Sequence, residues 1–231
     1  MKNYIALIIL SFLLSCNSQT GTSPAIDKVV PVSDSVKTTL PVSSISIIAI
    51  KGNQIKNAST IFNAFKYIDL HKDRQFDTLE SCISFLNEHY LSYTEKEISL
   101  RGFWVANKWT IFWDPEMIDI TENQALEGLS KNLHSEVLTF LVQRSSSTIG
   151  FAKYYPEKQR KFFMVDGHII ENSGMPVAEE KGLNFNQHIS MDDILKIAAQ
   201  FQVDVLGKNN AVKYTAKELG YNSELKNEDK E

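Results

Sequence analysis

Closely spaced strand segments in the middle of the chain place the strongest constraint on how it can fold. Short polar turns separate most of these segments, and Asp166-Gly167 is the clearest two-residue hairpin signal. Strands joined so closely pair in antiparallel fashion, because a parallel pair needs a crossover of a dozen or more residues. The predicted segments are 97–106, 109–114, 136–144, 148–155, 160–165 and 168–171.

Helix signals lie before, between and after these strands. Segments 77–90, 121–133 and 190–201 each pair a capping side chain with apolar residues at helical spacing. Further strands are predicted at 46–51 and 65–71, and neither repeats nor a second domain are evident. The pattern predicts an α+β fold, a curved antiparallel sheet with helices packed mainly on one face.

Aromatic residues are concentrated around the turn at Asn107-Lys108, where the first two strands meet. Strand alternation places Trp109, Ile111 and Trp113 on one side of their strand. Aromatic side chains dominate core burial, so we expect Trp109 and Trp113 to be buried. The alternative is an exposed platform that stacks on sugars or grips a partner protein.

Three acids follow this strand within six residues and form the tightest acidic cluster of the chain. They are Asp114, Glu116 and Asp119. One interpretation is a solvated loop whose acids favour the N-terminus of the following helix. The other is a hydrolase that uses Asp114 or Glu116 against a polymer of the cell envelope, which requires carboxylates in different environments facing one cleft.

No pattern of a catalytic, metal or cofactor site stands out elsewhere. Glycine-rich phosphate or dinucleotide loops and nucleophilic serine motifs do not occur, so we expect no cofactor and no catalytic residue. Cys82 belongs to a helical apolar series and should be buried and inert. The net charge of −4, without a basic block, argues against nucleic acid as a partner. The five histidines are too scattered to predict a metal site: His71, His89, His134, His168 and His188.

The start of the chain has the features of an export signal. Lys2 precedes an apolar run from Tyr4 to Leu14, which is too short to span a membrane as a helix, and Ser15 precedes Cys16. Residues 13–16 (LLSC) resemble the lipobox of bacterial lipoproteins. The resemblance implies cleavage before Cys16 and acylation of that residue. It also implies attachment to a membrane in the cell envelope, and Asn17 at the sorting position favours the periplasmic face of the outer membrane.

Composition divides the chain into four parts. Residues 1–15 are the predicted signal peptide, and 16–44 are the lipidated cysteine with a flexible tether rich in Ser, Thr and Pro. Residues 45–220 are predicted to be a single α+β domain, and 221–231 a disordered polar tail.

A second resemblance covers about a quarter of the chain. This part of the chain looks like a group of uncharacterised bacterial proteins. The resemblance rests on the segment 109–116 (WTIFWDPE), the following helix with Leu126 and Leu129, and the stretch from Gln143 to Phe151. That group has no established function, so it transfers no site.

The sequence therefore predicts a lipid-anchored envelope protein whose single domain binds a protein or a glycan without catalysis. One alternative is an immunity-type lipoprotein that neutralises a toxin in the periplasm. The other is the hydrolase acting through Asp114 or Glu116.

Overall fold

One open antiparallel sheet organises the part of the chain that the structure describes. This computed structural model describes residues 44–156, 158–186, 189–207 and 212–222, which lie within one compact unit and contain nine strands. The strand order is β2-β9-β3-β4-β1-β5-β6-β7-β8, and every pair is antiparallel. The strands are β1 Ser44–Lys51, β2 Tyr67–Phe76, β3 Ile98–Ala106, β4 Trp109–Trp113, β5 Val137–Gln143, β6 Thr148–Tyr155, β7 Lys158–Val165, β8 His168–Gly174 and β9 Tyr214–Tyr221.

Four α-helices connect or flank these strands within the described ranges. Short 3-10 segments precede α1, α3 and α4, at Ile55–Asn57, Asp119–Thr121 and Ala178–Glu180. The α-helices are α1 Ala58–Ala64, α2 Leu79–Thr94, α3 Asn123–Asn132 and α4 Met191–Gln200.

Apolar side chains are buried on both faces of the sheet. Along the central strand β1, Ile47 belongs to one core and its neighbour Ile48 to the other, as strand alternation requires. The first core holds buried residues of α2 and α4, and the second core holds those of α1 and α3. The prediction that helices pack mainly on one face is therefore wrong, since two helices contribute to each core.

All eight predicted strands and all three predicted helices have counterparts among the described residues. The hairpin at Asp166-Gly167 has positive φ at both residues, 47° and 76°, as its two-residue turn requires. Ser190 caps α4 and forms a capping box with Asp193. Two other caps differ from the prediction: Thr78 rather than Asp77 caps α2, and Glu122 precedes α3 without a side-chain cap.

Gly102 has a packing role within β3. Its strand pairs with β4 in continuous register at this point, with Gly102 opposite Trp113. A Cβ atom at Gly102 would lie 2.6 Å from Cζ3 of Trp104 and 2.9 Å from Cβ of Trp113. The position therefore needs glycine so that two tryptophans can pack against the strand.

The sequence prediction missed α1 and β9. β9 lies between β2 and β3, so it joins the edge strand to the rest of the sheet. The described residues begin at Ser44 and end at Asn222, with gaps at 157, 187–188 and 208–211. The predicted signal peptide, Cys16, residues 17–43 of the tether and residues 223–231 lie outside the described residues.

Candidate functional site

A single buried arginine brings the three predicted acids together. Arg101 lies in β3, one position before Gly102, and has no exposed surface. Gly102 pairs with Trp113, and the two strands are antiparallel. The residue before Gly102, Arg101, therefore lies across from the residue after Trp113, which is Asp114 at the end of β4. Glu116 and Asp119 follow in the loop and the short 3-10 segment beyond that strand. Strand register therefore builds this cluster.

The guanidinium of Arg101 uses all of its nitrogens in contacts within the protein. Nε donates to Oδ2 of Asp119 at 2.6 Å, and Nη1 donates to Oε2 of Glu116 at 2.6 Å and to the carbonyl of Leu100 at 3.1 Å. Nη2 donates to the hydroxyl of Tyr67 at 2.8 Å and lies 3.3 Å from Oδ1 of Asp114. Charge-assisted bonds of this kind are among the stronger ones in proteins.

The carboxylate of Asp114 also organises the backbone of its own loop. Oδ1 accepts from the backbone N–H of Glu116 at 2.9 Å, and Oδ2 accepts from that of Asp119 at 2.7 Å. Such local bonds from an Asp side chain are typical of turns. They fix the path of the chain so that the other two acids reach Arg101.

Hydroxyl groups satisfy the remaining carboxylate oxygens. Tyr67 donates to Oδ1 of Asp119 at 2.9 Å. Thr94 donates to Oε1 of Glu116 at 2.8 Å, and Ser99 donates to Oε2 at 3.3 Å. Each of the six carboxylate oxygens therefore accepts at least one hydrogen bond from the protein itself.

Burial changes the electrostatics of the cluster. Asp114 and Asp119 are 0% and 2% exposed, so the prediction of a solvated acidic loop is wrong for both. Burial raises the pKa of Asp114 to about 7, although the Arg101 guanidinium opposes this shift, and it raises the pKa of Asp119 as well. Burial also works against the charge of Arg101, but the carboxylates around it raise its pKa above the usual value. Three carboxylates thus share one permanent cation.

The three carboxylates are engaged in contacts within the protein. General acid–base catalysis needs a carboxyl oxygen that can approach a substrate within hydrogen-bond reach. Asp114, Glu116 and Asp119 do not line the groove beside Arg74, the cavity beside Tyr154 or the cavity beside Arg160. The side chain of Glu116 is the most exposed of the three, at 11%, against 3% for Asp119 and 0% for Asp114.

Sequence reasoning found the acids but missed Arg101 and Tyr67. The signal for Arg101 was available, because it is the one charged residue in the apolar strand 98–106. Counting outward from the turn at Asn107-Lys108 would have placed Arg101 opposite Asp114. Tyr67 gave no such signal, since it comes from a strand distant in sequence.

The aromatic face of β4 belongs to the core, as predicted. Trp109, Ile111 and Trp113 are each at most 1% exposed and contribute to the first core. The Nε1 atom of Trp109 donates to the carbonyl of Phe201 at 2.9 Å. The tryptophans and the acids therefore do not converge on one concave surface.

A second buried ion pair lies near the other edge of the sheet. Arg160 donates from Nε and from Nη2 to the two carboxylate oxygens of Glu180, both at 2.8 Å. Nη1 of Arg160 donates to the side chain of Asn172 at 2.8 Å. The pair fixes the segment after β8 against β7, and both partners are nearly fully buried.

Other candidate groups remain apart. Cys82 is buried as predicted, and burial raises the pKa of its thiol to about 12. No group of three or more His, Cys, Asp or Glu side chains among the described residues is arranged to hold a metal ion. Within the same residues, no helix is long and apolar enough to span a bilayer.

Comparison with known proteins gives no further assignment. No family model, no curated protein and no solved structure matches this chain.

Proposed function

We propose that this chain is a lipid-anchored protein of the cell envelope whose α+β domain binds a partner without catalysing a reaction. The anchor is proposed from the apolar run ending at Leu14 and from Cys16 in its lipobox-like setting. The observation that carries the non-enzymatic role is the commitment of all three predicted acids to Arg101 and to the loop backbone.

The engagement of the acids argues against the hydrolase alternative. A catalytic carboxylate must exchange a proton or form a bond with substrate, so its oxygens need access to a cleft. Here the oxygens of Asp114 and Asp119 are buried and occupied by donors of the protein. Their removal would leave the Arg101 charge without partners, which is a structural loss.

A screen for substrate turnover tests the non-enzymatic role, with Glu116, the least buried of the three acids, as the position to change. We expect no hydrolysis of peptidoglycan fragments, glycosides or phosphate esters by the wild-type chain. Glu116→Gln is the informative variant, because it keeps the size of the side chain while removing its charge. Turnover by the wild type that disappears in Glu116→Gln would identify this loop as an active site and refute the proposal.

Metabolic labelling with an alkyne-bearing fatty acid tests the anchor. Label should be incorporated in the wild type and lost in Cys16→Ala, with release of the protein from membranes. Cys82→Ala is the matched control and should keep the label, because Cys82 is buried in the folded domain. A wild-type chain that remains unlabelled would refute the lipid anchor.

A further inference from the structure

A groove at one edge of the sheet lies between β2, β9 and α2. Its volume is about 490 Å³, and its lining combines charged residues of the two strands with Phe85 and Tyr93 of the helix. Small-molecule sites typically have volumes of about 300–1,000 Å³. None of Arg101, Asp114, Glu116 and Asp119 lines the groove, although Leu100, which does, accepts a hydrogen bond from Arg101 through its carbonyl.

Aromatic rings of α2 form the helical side of this groove. Phe85, His89 and Tyr93 are spaced four residues apart, so they lie along one stripe of the helix. The rings of Phe85 and His89 stack with centroids 4.5 Å apart, and Phe76 of β2 lies 5.4 Å from Phe85. These contacts fix the ring of Phe85 in position.

The guanidinium of Arg74 lies over the ring of Phe85. Its Cζ atom lies 4.6 Å from the centroid of the Phe85 ring, within the range of a cation–π contact. Arg74 forms no ion pair and donates no hydrogen bond among the described residues, and its side chain lines the groove. The stacked guanidinium therefore has unused N–H donors beside an open volume.

Other charges of the groove are already balanced. Lys72 lies 3.9 Å from Glu218, and Asp73 lies 2.9 Å from Lys217. His71 is 3.9 Å from Asp69. Among the described residues that line the groove, Arg74 is thus the Lys or Arg side chain without a carboxylate partner.

We propose that this groove binds the carboxylate of a small molecule or of a peptide end, and that Arg74 donates the hydrogen bonds to that carboxylate. A planar guanidinium matches a carboxylate with two parallel hydrogen bonds, and the contact with Phe85 holds the guanidinium of Arg74 beside the groove. Because Lys72 and Lys217 are paired with Glu218 and Asp73, the single unpaired charge of Arg74 matches a monoanion rather than a dianion such as phosphate. Phe85 and Tyr93 provide apolar surface for the rest of the ligand. The inference rests on the proposed role as a binding domain and names its ligand class.

Calorimetric titration of the full chain with hippurate, an aromatic carboxylate, tests the groove. Hippuramide, which lacks the charge, and phenyl phosphate, which is a dianion, serve as companion ligands. An acetylated dipeptide with a free carboxyl end and its amide distinguish a peptide end from a small acid. The variants are Arg74→Gln and Arg74→Lys, and Arg144→Gln removes the same charge at an exposed turn away from the groove.

Hippurate should bind the wild type and Arg144→Gln equally, and Arg74→Gln should weaken it by about tenfold or more. Arg74→Lys should lose part of the affinity, because an ammonium cannot make the paired contact. Hippuramide should not bind. Absence of hippurate binding, equal binding by Arg74→Gln, or tighter binding of phenyl phosphate would each overturn this assignment. Each of these results would leave the turnover screen and the labelling experiment to decide the proposed function separately.

Discussion

Replacement of Arg101 by methionine is the most demanding test of the buried cluster. Methionine fills a similar volume in the apolar strand but removes the charge and all of the N–H donors. Asp114 and Asp119 would then remain buried, without the cation that balances them. We therefore expect the variant to be destabilised rather than merely altered at its surface.

The size of the effect follows from the geometry of the cluster. Removing one partner of a buried ion pair typically costs about 3–5 kcal/mol, because a buried charge is left uncompensated. Arg101 has two short contacts of 2.6 Å to carboxylates and a third carboxylate at 3.3 Å. We expect a loss of about 3–5 kcal/mol in the free energy of unfolding near neutral pH.

The loss should depend on pH with a defined sign. Without the guanidinium, the pKa values of the buried carboxyl groups rise further, so the folded state holds protons that the unfolded chain releases. The stability that the variant loses relative to the wild type should therefore grow as pH rises from 5 to 8 and shrink on acidification. This dependence separates a charge effect from a simple packing defect, which would not change with pH.

Urea unfolding followed by the fluorescence of the buried tryptophans measures the effect. Arg144→Met is the matched control, because Arg144 is exposed and its loss should change stability by no more than about 0.5 kcal/mol. Arg101→Lys should fall between the wild type and Arg101→Met, since lysine keeps the charge but not the planar fork. A loss below about 1 kcal/mol in Arg101→Met would refute the reasoning that these carboxylates depend on Arg101.

Two further predictions concern Asp114 and the core. Because burial raises the pKa of Asp114 from 3.8 to about 7, the stability that its protonated form provides is fully present below pH 4 and lost as pH rises towards 7. The slope of stability against pH that one proton causes cannot exceed about 1.4 kcal/mol per pH unit. Asp114→Asn should reduce this slope in urea unfolding measured from pH 4.5 to 7.5. An unchanged slope would contradict the raised pKa of Asp114. Trp113→Ala should cost about 3–5 kcal/mol in the same assay, because Trp113 is 1% exposed in the first core, and a loss below about 1 kcal/mol would contradict its burial.

The acids illustrate why the candidate site was only partly predictable. Their closeness along the chain is visible in the sequence, but their burial depends on Arg101 and Tyr67. Arg101 becomes a partner through the register of β3 against β4, and Tyr67 comes from β2. Sequence periodicity reports which face a residue occupies, whereas it does not report which distant side chain shares that face.

Local patterns by themselves determined the antiparallel hairpins, the buried face of β4, the burial of Cys82 and the cap at Ser190. Each depends on residues within one turn or one strand, where propensity and periodicity act directly. Tertiary structure alone decided the insertion of β9 between β2 and β3, the presence of helices on both faces, and the pairing of Arg101 with three acids. These features join segments that are far apart in sequence, so they follow from which surfaces bury one another when the whole sheet assembles.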